Sequence, residues 1–245
     1  IASFGELLSS FIISEVMKVR KLNSAYKDSR ELIIASESYE NAQVMMKLTQ
    51  ENCKSFFDAD AHQIVILPGF IAATENGETT TLGRGGSDYT ADIIAAAVNA
   101  DELQIWTDVS GMYTANPRIV KQATPIPHIS YQEAMELSHF GAKVSYPPTL
   151  QPALKQGIPL YIKNTFNPTF EGTHISDKSD REGHAVKGIS SISHVALLTL
   201  AGSGMFGVPG TAGRLFGSLA QAGINVILIT QGSSENAISF AVQPS

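Results

Sequence analysis

The sequence is poor in several features that mark whole classes of protein. Its 245 residues include one cysteine, Cys53, so no disulfide can form within the chain and a reducing, cytoplasmic location is expected. No apolar run reaches the roughly 18 residues that cross a bilayer, so no membrane span is predicted. Lys and Arg form no run and the formal net charge is −6, so nucleic acid and anionic membranes are not expected partners. The six histidines lack metal-ligand spacing, so no protein-held metal is predicted.

The start of the chain also lacks features. Ile1 replaces an initiator methionine, and neither a basic segment nor a cleavage site follows it. We therefore expect the chain to be the interior part of a longer protein.

Apolar residues alternate between helical and strand-like spacing along most of the chain. Helices are predicted over 4–19, 42–57 and 87–100, and strands over 32–35, 63–67, 103–106 and 158–162. Such alternation predicts an α/β fold in which helices cover both faces of a mainly parallel sheet. In such folds ligands bind at the carboxyl ends of the strands.

A change of composition divides the chain. Residues 167–190 are rich in Pro, Gly, Ser and charge without periodicity, and we interpret them as a linker. It would join a main domain, 1–166, to a smaller unit, 191–245. In the smaller unit, strands are predicted over 195–200, 224–230 and 237–242 and a helix over 211–222. This βαββ order is part of a ferredoxin-like fold.

The densest cluster of chemically useful residues is TTTLGRGGSDYT at 79–90. Three glycines let the backbone approach a ligand, and the amides of the helix that follows can face an anion. Arg84 can hold a carboxylate with two parallel hydrogen bonds, and Ser87 is a candidate helix cap. A purely structural turn rarely needs this composition, so anion binding is favoured. The Lys-Ser/Thr that closes a P-loop is absent, which indicates a different fold.

A second cluster follows the strand that ends at Thr107. Asp108 opens a loop that carries Tyr113 and Arg118, which suit the base and the phosphates of a nucleotide. A surface loop is an equally good explanation of these residues by themselves. Lys143 follows Gly141 and could neutralise charge during phosphoryl transfer, although a surface lysine is the usual explanation. Glu6 lies near a helix start, and its spacing alone is explained by a carboxylate that stabilises the helix dipole.

Residues 202–207 match the glycine fingerprint of dinucleotide-binding folds. The acidic residue expected after the next strand is replaced by Thr230 and Gln231, so we reject a dinucleotide. A small amino-acid effector fits better, and its predicted contacts are Gly204, Gly207, Asn225 and Gln231.

Four segments in this order resemble aspartate kinases of the amino-acid kinase family. They are 3–9, 79–90, 106–114 and 140–144. The resemblance implies transfer of the γ-phosphoryl group of ATP, with Mg²⁺, to the side-chain carboxylate of L-aspartate, the first step towards threonine, methionine and lysine. Such a carboxylate is already ionised at neutral pH, so no general base is required.

The resemblance also implies roles for residues. Catalysis would involve Lys143, Asp88 and Arg84; the substrate site would contain Glu6, Arg84, Gly85, Gly86 and Ser87; and the ATP site would contain Thr107, Asp108, Tyr113, Arg118, Lys143 and Val144.

The C-terminal part resembles the first ACT regulatory unit, and 130–138 with 229–234 resembles bifunctional aspartate kinase/homoserine dehydrogenases. This implies feedback control, threonine as the expected effector and a homo-oligomer formed through ACT domains. Two departures stand out: the Lys-Phe-Gly-Gly loop that opens the family fold is absent, and Ser145-Tyr146 replaces an aliphatic residue and His. We therefore expect the chain alone to be inactive. A regulatory fragment without turnover, and a kinase with another acceptor, are the alternatives.

Overall fold

The computed structural model describes residues 1–37, 42–139, 151–178, 186–202, 208–232 and 237–244. These fall into two compact units, 1–190 and 191–245. Among the described residues, no helix is both long and apolar enough to cross a membrane.

The first unit contains most of the secondary structure. Its helices are α1 (Ser3–Val19), α2 (Met46–Ala59), α3 (Gly86–Val98), α4 (Tyr131–His139) and α5 (Gln151–Gln156), with a 3-10 turn at Ser29–Glu31. Its strands are β1 (Ser24–Tyr26), β2 (Ile64–Ile66), β3 (Ile71–Ala73), β4 (Thr79–Thr81), β5 (Leu103–Thr107), β6 (His128–Ser130), β7 (Leu160–Asn164) and β8 (Thr173–Ser176).

Parallel pairs dominate the strand pairing of this unit, as predicted. The largest sheet has the order β5-β7-β8-β6, in which β5 pairs with β7 and β6 with β8 in parallel, while β7 and β8 are antiparallel. Strands β1 and β2 form a separate parallel pair. The antiparallel hairpin of β3 and β4 is not predicted by the sequence, because the threonines at 79–81 fit the start of a turn as well as a strand. Residues 32–35, predicted as a strand, form only two isolated bridges, one of which links Ile34 to Ala73.

Side chains alternate strictly across the four-stranded sheet. One face contributes apolar residues to a core with α3, α4 and α5: Leu103, Ile105, Ile129, Leu160, Ile162 and Ile175. The opposite face presents polar and aromatic residues, among them Gln104, Trp106, Tyr161, Lys163, His128 and His174. All three helices that pack on this core therefore lie on one face of the sheet.

Helix α1 turns its polar side inward. Ser3, Ser10 and Ser14 are buried, whereas Phe4 and Val19 are 70% and 83% exposed. The hydroxyls of Ser10 and Ser14 donate to backbone carbonyls of their own helix, as Ser10 Oγ does to Glu6 O at 2.6 Å. Small, internally satisfied side chains let the helix lie close to β1 and β4. The apolar spacing thus predicted the helix correctly but not the side that is buried within the described residues.

The second unit is a three-stranded antiparallel sheet with one helix. Its elements are β9 (Ala196–Ala201), α6 (Thr211–Gln221), β10 (Val226–Gln231) and β11 (Ala237–Val242), in the sheet order β10-β11-β9. Ile238 and Phe240 of the central strand are buried. The rings of Phe216, on α6, and Phe240 are edge-on, with their centroids 6.3 Å apart. The outer strands leave large apolar side chains exposed, including Leu197 at 67% and Ile229 at 53%.

The linker predicted over 167–190 is wrong for residues 173–176. These form β8, an inner strand of the first unit's sheet, in which Thr173 and Ile175 are completely buried. The strand is only 4 residues long and lies between turn-forming stretches, so its periodicity was too short to recognise.

Thr173 holds two loops to this sheet. Its hydroxyl donates to Ile126 O at 2.7 Å and accepts from the Met112 N–H at 2.8 Å, without access to solvent. Replacing it with valine removes the hydroxyl at nearly constant volume and leaves both backbone groups unpaired. We expect Thr173→Val to lower the free energy of unfolding of the first unit by about 2 to 4 kcal/mol in urea denaturation.

The matched control for this substitution is Thr124→Val, at an exposed position of the same unit. It should change the free energy of unfolding by less than about 0.5 kcal/mol. Equal effects of the two substitutions would show that the Thr173 hydroxyl bonds do not hold the loops.

Candidate functional site

The glycine-rich loop joins β4 directly to α3. Gly85 occupies the N-cap position of α3 with φ 71°, a left-handed conformation that favours glycine. Ser87, predicted as the cap, lies instead within the first turn of the helix. Gly86 is buried, and a Cβ there would lie 2.8 Å from Cδ2 of Phe70. The loop therefore needs glycine for two separate reasons, backbone conformation at 85 and space at 86.

A second loop, which contains Gly69 and Phe70, packs against the start of α3. Thr90 Oγ1 donates to Gly86 O at 2.8 Å and accepts from the Phe70 N–H at 3.0 Å. Gly69 packs so tightly that a Cβ on it would meet Ser87 Cα at 3.0 Å. The first-turn amides of a helix, here those of Ser87 and Asp88, have no acceptor within the helix and carry a partial positive charge. These contacts hold the amides in a fixed orientation that suits an anion.

The predicted substrate residues lie on neighbouring elements. Arg84 is exposed in the loop after β4. Glu6 is half-buried in the first turn of α1, and α1 packs against β4. Arg30, which sequence reasoning did not single out, donates from Nη1 to Thr79 Oγ1 at 2.8 Å and ties the 3-10 turn to the same strand. The structure thus brings together the elements that carry Glu6 and Arg84.

Asp88 is half-buried in the first turn of α3. Desolvation raises the pKa of its carboxyl above the ordinary value. No group of three or more His, Cys, Asp or Glu side chains converges within the described ranges.

The predicted nucleotide residues form one continuous segment. Thr107 ends β5, and its carbonyl accepts from the Thr165 N–H at 2.8 Å. Asp108 follows and is exposed, while Tyr113 is half-buried and bridges to Pro125. Arg118 is exposed, and its N–H donates to the Asn116 side chain at 3.0 Å. Lys143 and Val144 lie outside the described residues.

Two sheet residues anchor this segment. Asn164 donates from Nδ2 to Ser110 Oγ at 2.9 Å. Gly111 has φ 112° and lies against Thr173, so that a Cβ would be 2.3 Å from the Thr173 hydroxyl oxygen. Sequence reasoning missed both anchors, because each is separated by more than 50 residues from the loop it holds.

The predicted effector residues are separated in the second unit. Asn225 precedes β10, whereas Gln231 ends it, so about 20 Å of extended chain lies between them. The pairing of β9 and β10 with β11 puts Gln231 at the same end of the strands as residue 202 and Asn225 at the opposite end. One copy therefore does not bring Asn225 and Gln231 to a single ligand. Gly204 and Gly207 lie outside the described residues.

Asp92 is a buried carboxylate that the sequence reasoning overlooked. It lies on α3, is fully inaccessible to solvent, and accepts from the Ala153 N–H in the first turn of α5 at 3.0 Å. Its Oδ2 has no hydrogen-bond partner among the described residues. Pro152, which has no N–H, removes a donor that a helix start could otherwise offer. Burial raises the pKa of Asp92 to about 7, although the Ala153 bond opposes the shift.

Comparison with known sequences defines the class. A profile of the amino acid kinase family matches residues 1–164, and an ACT domain profile matches residues 198–245. The chain belongs to the amino acid kinase family.

Within that family its relatives are aspartokinases. The bifunctional aspartokinase/homoserine dehydrogenase of Haemophilus influenzae is 42% identical over 240 residues, which are 97% of this chain and 29% of that protein. Lysine-sensitive aspartokinase 3 of Escherichia coli is 34% identical, over 98% of this chain and 54% of that protein. The chain thus spans less than a third of the bifunctional relative and about half of the other.

A solved structure agrees with these matches. Escherichia coli aspartokinase III in complex with aspartate and ADP superposes with a TM-score of 0.81 at 31% identity, over 98% of this chain and 54% of that one. The fold class and the resemblance to aspartate kinases, including the bifunctional ones, are therefore confirmed. The roles of individual residues stay predictions.

Asp92 generates a prediction about stability and pH. A carboxyl whose pKa is about 7 when folded, against an ordinary value of 3.8, binds more protons in the folded state. Its contribution to stability is therefore largest at low pH and is lost as the pH rises through about 7. Asp92→Asn removes the ionisation that causes this loss of stability, and its amide oxygen can still accept from the Ala153 N–H. Between pH 5 and pH 8 we expect the variant to gain about 2 to 3 kcal/mol over the parent protein in urea denaturation.

The exposed Asp101→Asn on the same unit serves as the control and should give no comparable gain. A difference between Asp92→Asn and the parent that stays constant with pH would contradict the argument.

Proposed function

We propose that the chain contributes the aspartate site and a large part of the nucleotide site of an aspartate kinase. The reaction transfers the ATP γ-phosphoryl group to the side-chain carboxylate of aspartate and gives aspartyl phosphate. The observation that carries this proposal is the braced glycine loop at the α3 N-terminus, with α1 packed beside the strand that leads into it. The complex of aspartokinase III with aspartate and ADP, whose fold this chain shares, supports it.

In this proposal Arg84 and Glu6 bind the two charged groups of the amino acid. Arg84 takes the α-carboxylate and Glu6 the ammonium group, which leaves the side-chain carboxylate free to react. Gly85, Gly86 and Ser87 form the loop around the substrate, and the first-turn amides of α3 face the transferred phosphoryl group. The acceptor carboxylate is ionised, so positioning and electrostatics supply the catalysis.

ATP would lie along the segment after β5. Tyr113 covers the base, Thr107 and Asp108 hydrogen-bond base or ribose, and Arg118 reaches a phosphate. Lys143 and Val144 complete this proposed site. Mg²⁺ would accompany the phosphates and neutralise charge there, with Asp88 in the first turn of α3 as a carboxylate that could face it.

The second unit would supply feedback control. Its outer strands expose leucine and isoleucine side chains that a second ACT unit could cover, which supports pairing of copies. Aspartyl phosphate leads towards threonine, methionine and lysine, and threonine is the effector that we propose. The cytoplasmic location stays a prediction.

A product assay tests the function directly. The protein is incubated with ATP, Mg²⁺ and aspartate, and hydroxylamine traps the acyl phosphate as a hydroxamate. Hydroxamate formation with aspartate and not with glutamate would support the proposal. Because the Lys-Phe-Gly-Gly loop is absent from this chain, turnover is expected only when that loop is supplied, and turnover that stays absent with the loop present would favour the regulatory fragment. Absence of aspartate binding would overturn the proposed site.

Arg84→Ala should separate the two substrates. Loss of a charge-assisted, two-bond contact is expected to weaken aspartate binding about 10- to 100-fold and to leave ATP binding nearly unchanged. Isothermal calorimetry with each ligand measures this. Arg20→Ala, an exposed arginine at the end of α1, is the matched control and should change neither affinity. Equal losses of affinity for aspartate and for ATP would show that Arg84 does not bind the aspartate carboxylate specifically.

Gln231→Ala should weaken threonine binding at least about tenfold, because Gln231 lies at the same end of the strands as residue 202, which follows β9, and its side chain can hydrogen-bond the effector. Asn225→Ala, at the other end of β10, should have little effect if the effector binds to one copy. Calorimetry with threonine, lysine and methionine compares the variants. Equal losses in both variants would instead place the effector between two copies, and unchanged binding in Gln231→Ala would refute the site.

A further inference from the structure

Two imidazoles meet on the outer face of the four-stranded sheet. His128 is the first residue of β6 and His174 the second residue of β8, and the parallel register pairs them directly. Their Nδ1 atoms are 3.2 Å apart, and their rings are nearly perpendicular, at 81°. The next residues along each strand, Ile129 and Ile175, are fully buried in the core. The histidines therefore sit on a rigid part of the fold, although 45 residues separate them in the sequence.

The surroundings restrict one ring and leave the other accessible. Tyr161 of β7 stacks on His174, with ring centroids 4.6 Å apart and planes 11° from parallel. His174 is half-buried between Tyr161 and His128, whereas His128 is exposed. Because Tyr161 already holds the ring of His174, a ligand that binds both rings would have to immobilise only the ring of His128. This lowers the entropic cost of binding.

The distance between the nitrogens fits two ligands of one ion. Imidazole nitrogen binds Zn²⁺ at about 2.0 to 2.1 Å, and a tetrahedral angle then separates two such nitrogens by about 3.3 Å. The right angle of a tetragonal Cu²⁺ or Ni²⁺ site gives about 2.9 Å. The observed 3.2 Å lies between these values. Without an ion, one N–H donates to the other nitrogen; with an ion, each ring carries its hydrogen on Nε2 and both Nδ1 lone pairs face the metal.

Lys187 and Glu133, which lie beside His128, are paired with each other. Lys187 Nζ lies 3.3 Å from Glu133 Oε2 and 3.5 Å from the His128 carbonyl oxygen. Glu133 also accepts from Ser130 N and Oγ, so its carboxylate is engaged at the start of α4. Among the described residues an ion would have two protein ligands, and water would fill its other positions.

We propose that His128 and His174 form a binding site for a divalent first-row transition-metal ion. Cu²⁺ should bind most tightly, because affinities of nitrogen sites rise along this series to copper. The ion would link β6 to β8 and stabilise the sheet against unfolding. The site uses none of the residues proposed for aspartate, ATP or effector, so it does not depend on the kinase proposal.

The test titrates the whole chain with CuCl₂ in a weakly coordinating buffer, by calorimetry and electron paramagnetic resonance. We expect one ion per chain with hyperfine splitting from two nitrogens, and an affinity at least about tenfold lower in each of His128→Gln and His174→Gln. His62→Gln removes an exposed histidine elsewhere and should leave the affinity unchanged.

The melting temperature with Ni²⁺ distinguishes loss of the metal site from a folding defect in the variants. Ni²⁺ should raise the melting temperature of the parent protein and of His62→Gln, but not that of His128→Gln, whose side chain is exposed. Unchanged Cu²⁺ affinity in the double variant His128→Gln/His174→Gln, or no stoichiometric binding to the parent protein, would overturn the proposal.

Discussion

The packing of α3 on both sides is the constraint on which the first unit depends. Ala95 and, less deeply, Ala91 face the core shared with the four-stranded sheet, while Ile94 and Ala97 pack on a second cluster around Leu32, Ile33 and Cys53. Small side chains on α3 allow both neighbours to approach closely, and Ile93 of the same helix is completely buried. Because two cores hold this helix, the glycine loop at its N-terminus has a fixed position. A substrate site on that loop therefore starts preorganised.

The candidate nucleotide segment is held in another way. Its contacts are hydrogen bonds from the sheet, through Thr173 and Asn164, and the close approach of Gly111 to β8. The two halves of the proposed active site are thus positioned differently. The glycine loop is held by α3, which packs between two cores, and the nucleotide segment is held by strands of the four-stranded sheet. Asp92 connects the helix to α5, which follows residues 140–150, and does so with a carboxyl group whose charge depends on pH near neutrality.

Local patterns predicted local structure well in this chain. The strands of the second unit and α6 lie within one or two residues of their predicted bounds, because turn residues mark them clearly. Long-range features were missed. The hairpin of β3 and β4 was hidden by three threonines that suited a loop equally well, and β8 was too short to show a period. The inward side of α1 could not be predicted from hydrophobicity, because its buried residues are serines, and the hydroxyls of Ser10 and Ser14 bond within the helix.

The sequence by itself determined the class of fold and the contiguous segments that carry the proposed chemistry, since the glycine loop and the segment after β5 each lie within about a dozen neighbouring residues. Tertiary structure decided everything that joins distant residues. It pairs His128 with His174, buries Asp92 against α5, holds the loop at Gly111 against Thr173, and places Asn225 and Gln231 at opposite ends of one strand. Spacing along a chain reports distance only within one helix or strand. Between elements, register and packing set the distance, and both arise only when the chain has folded.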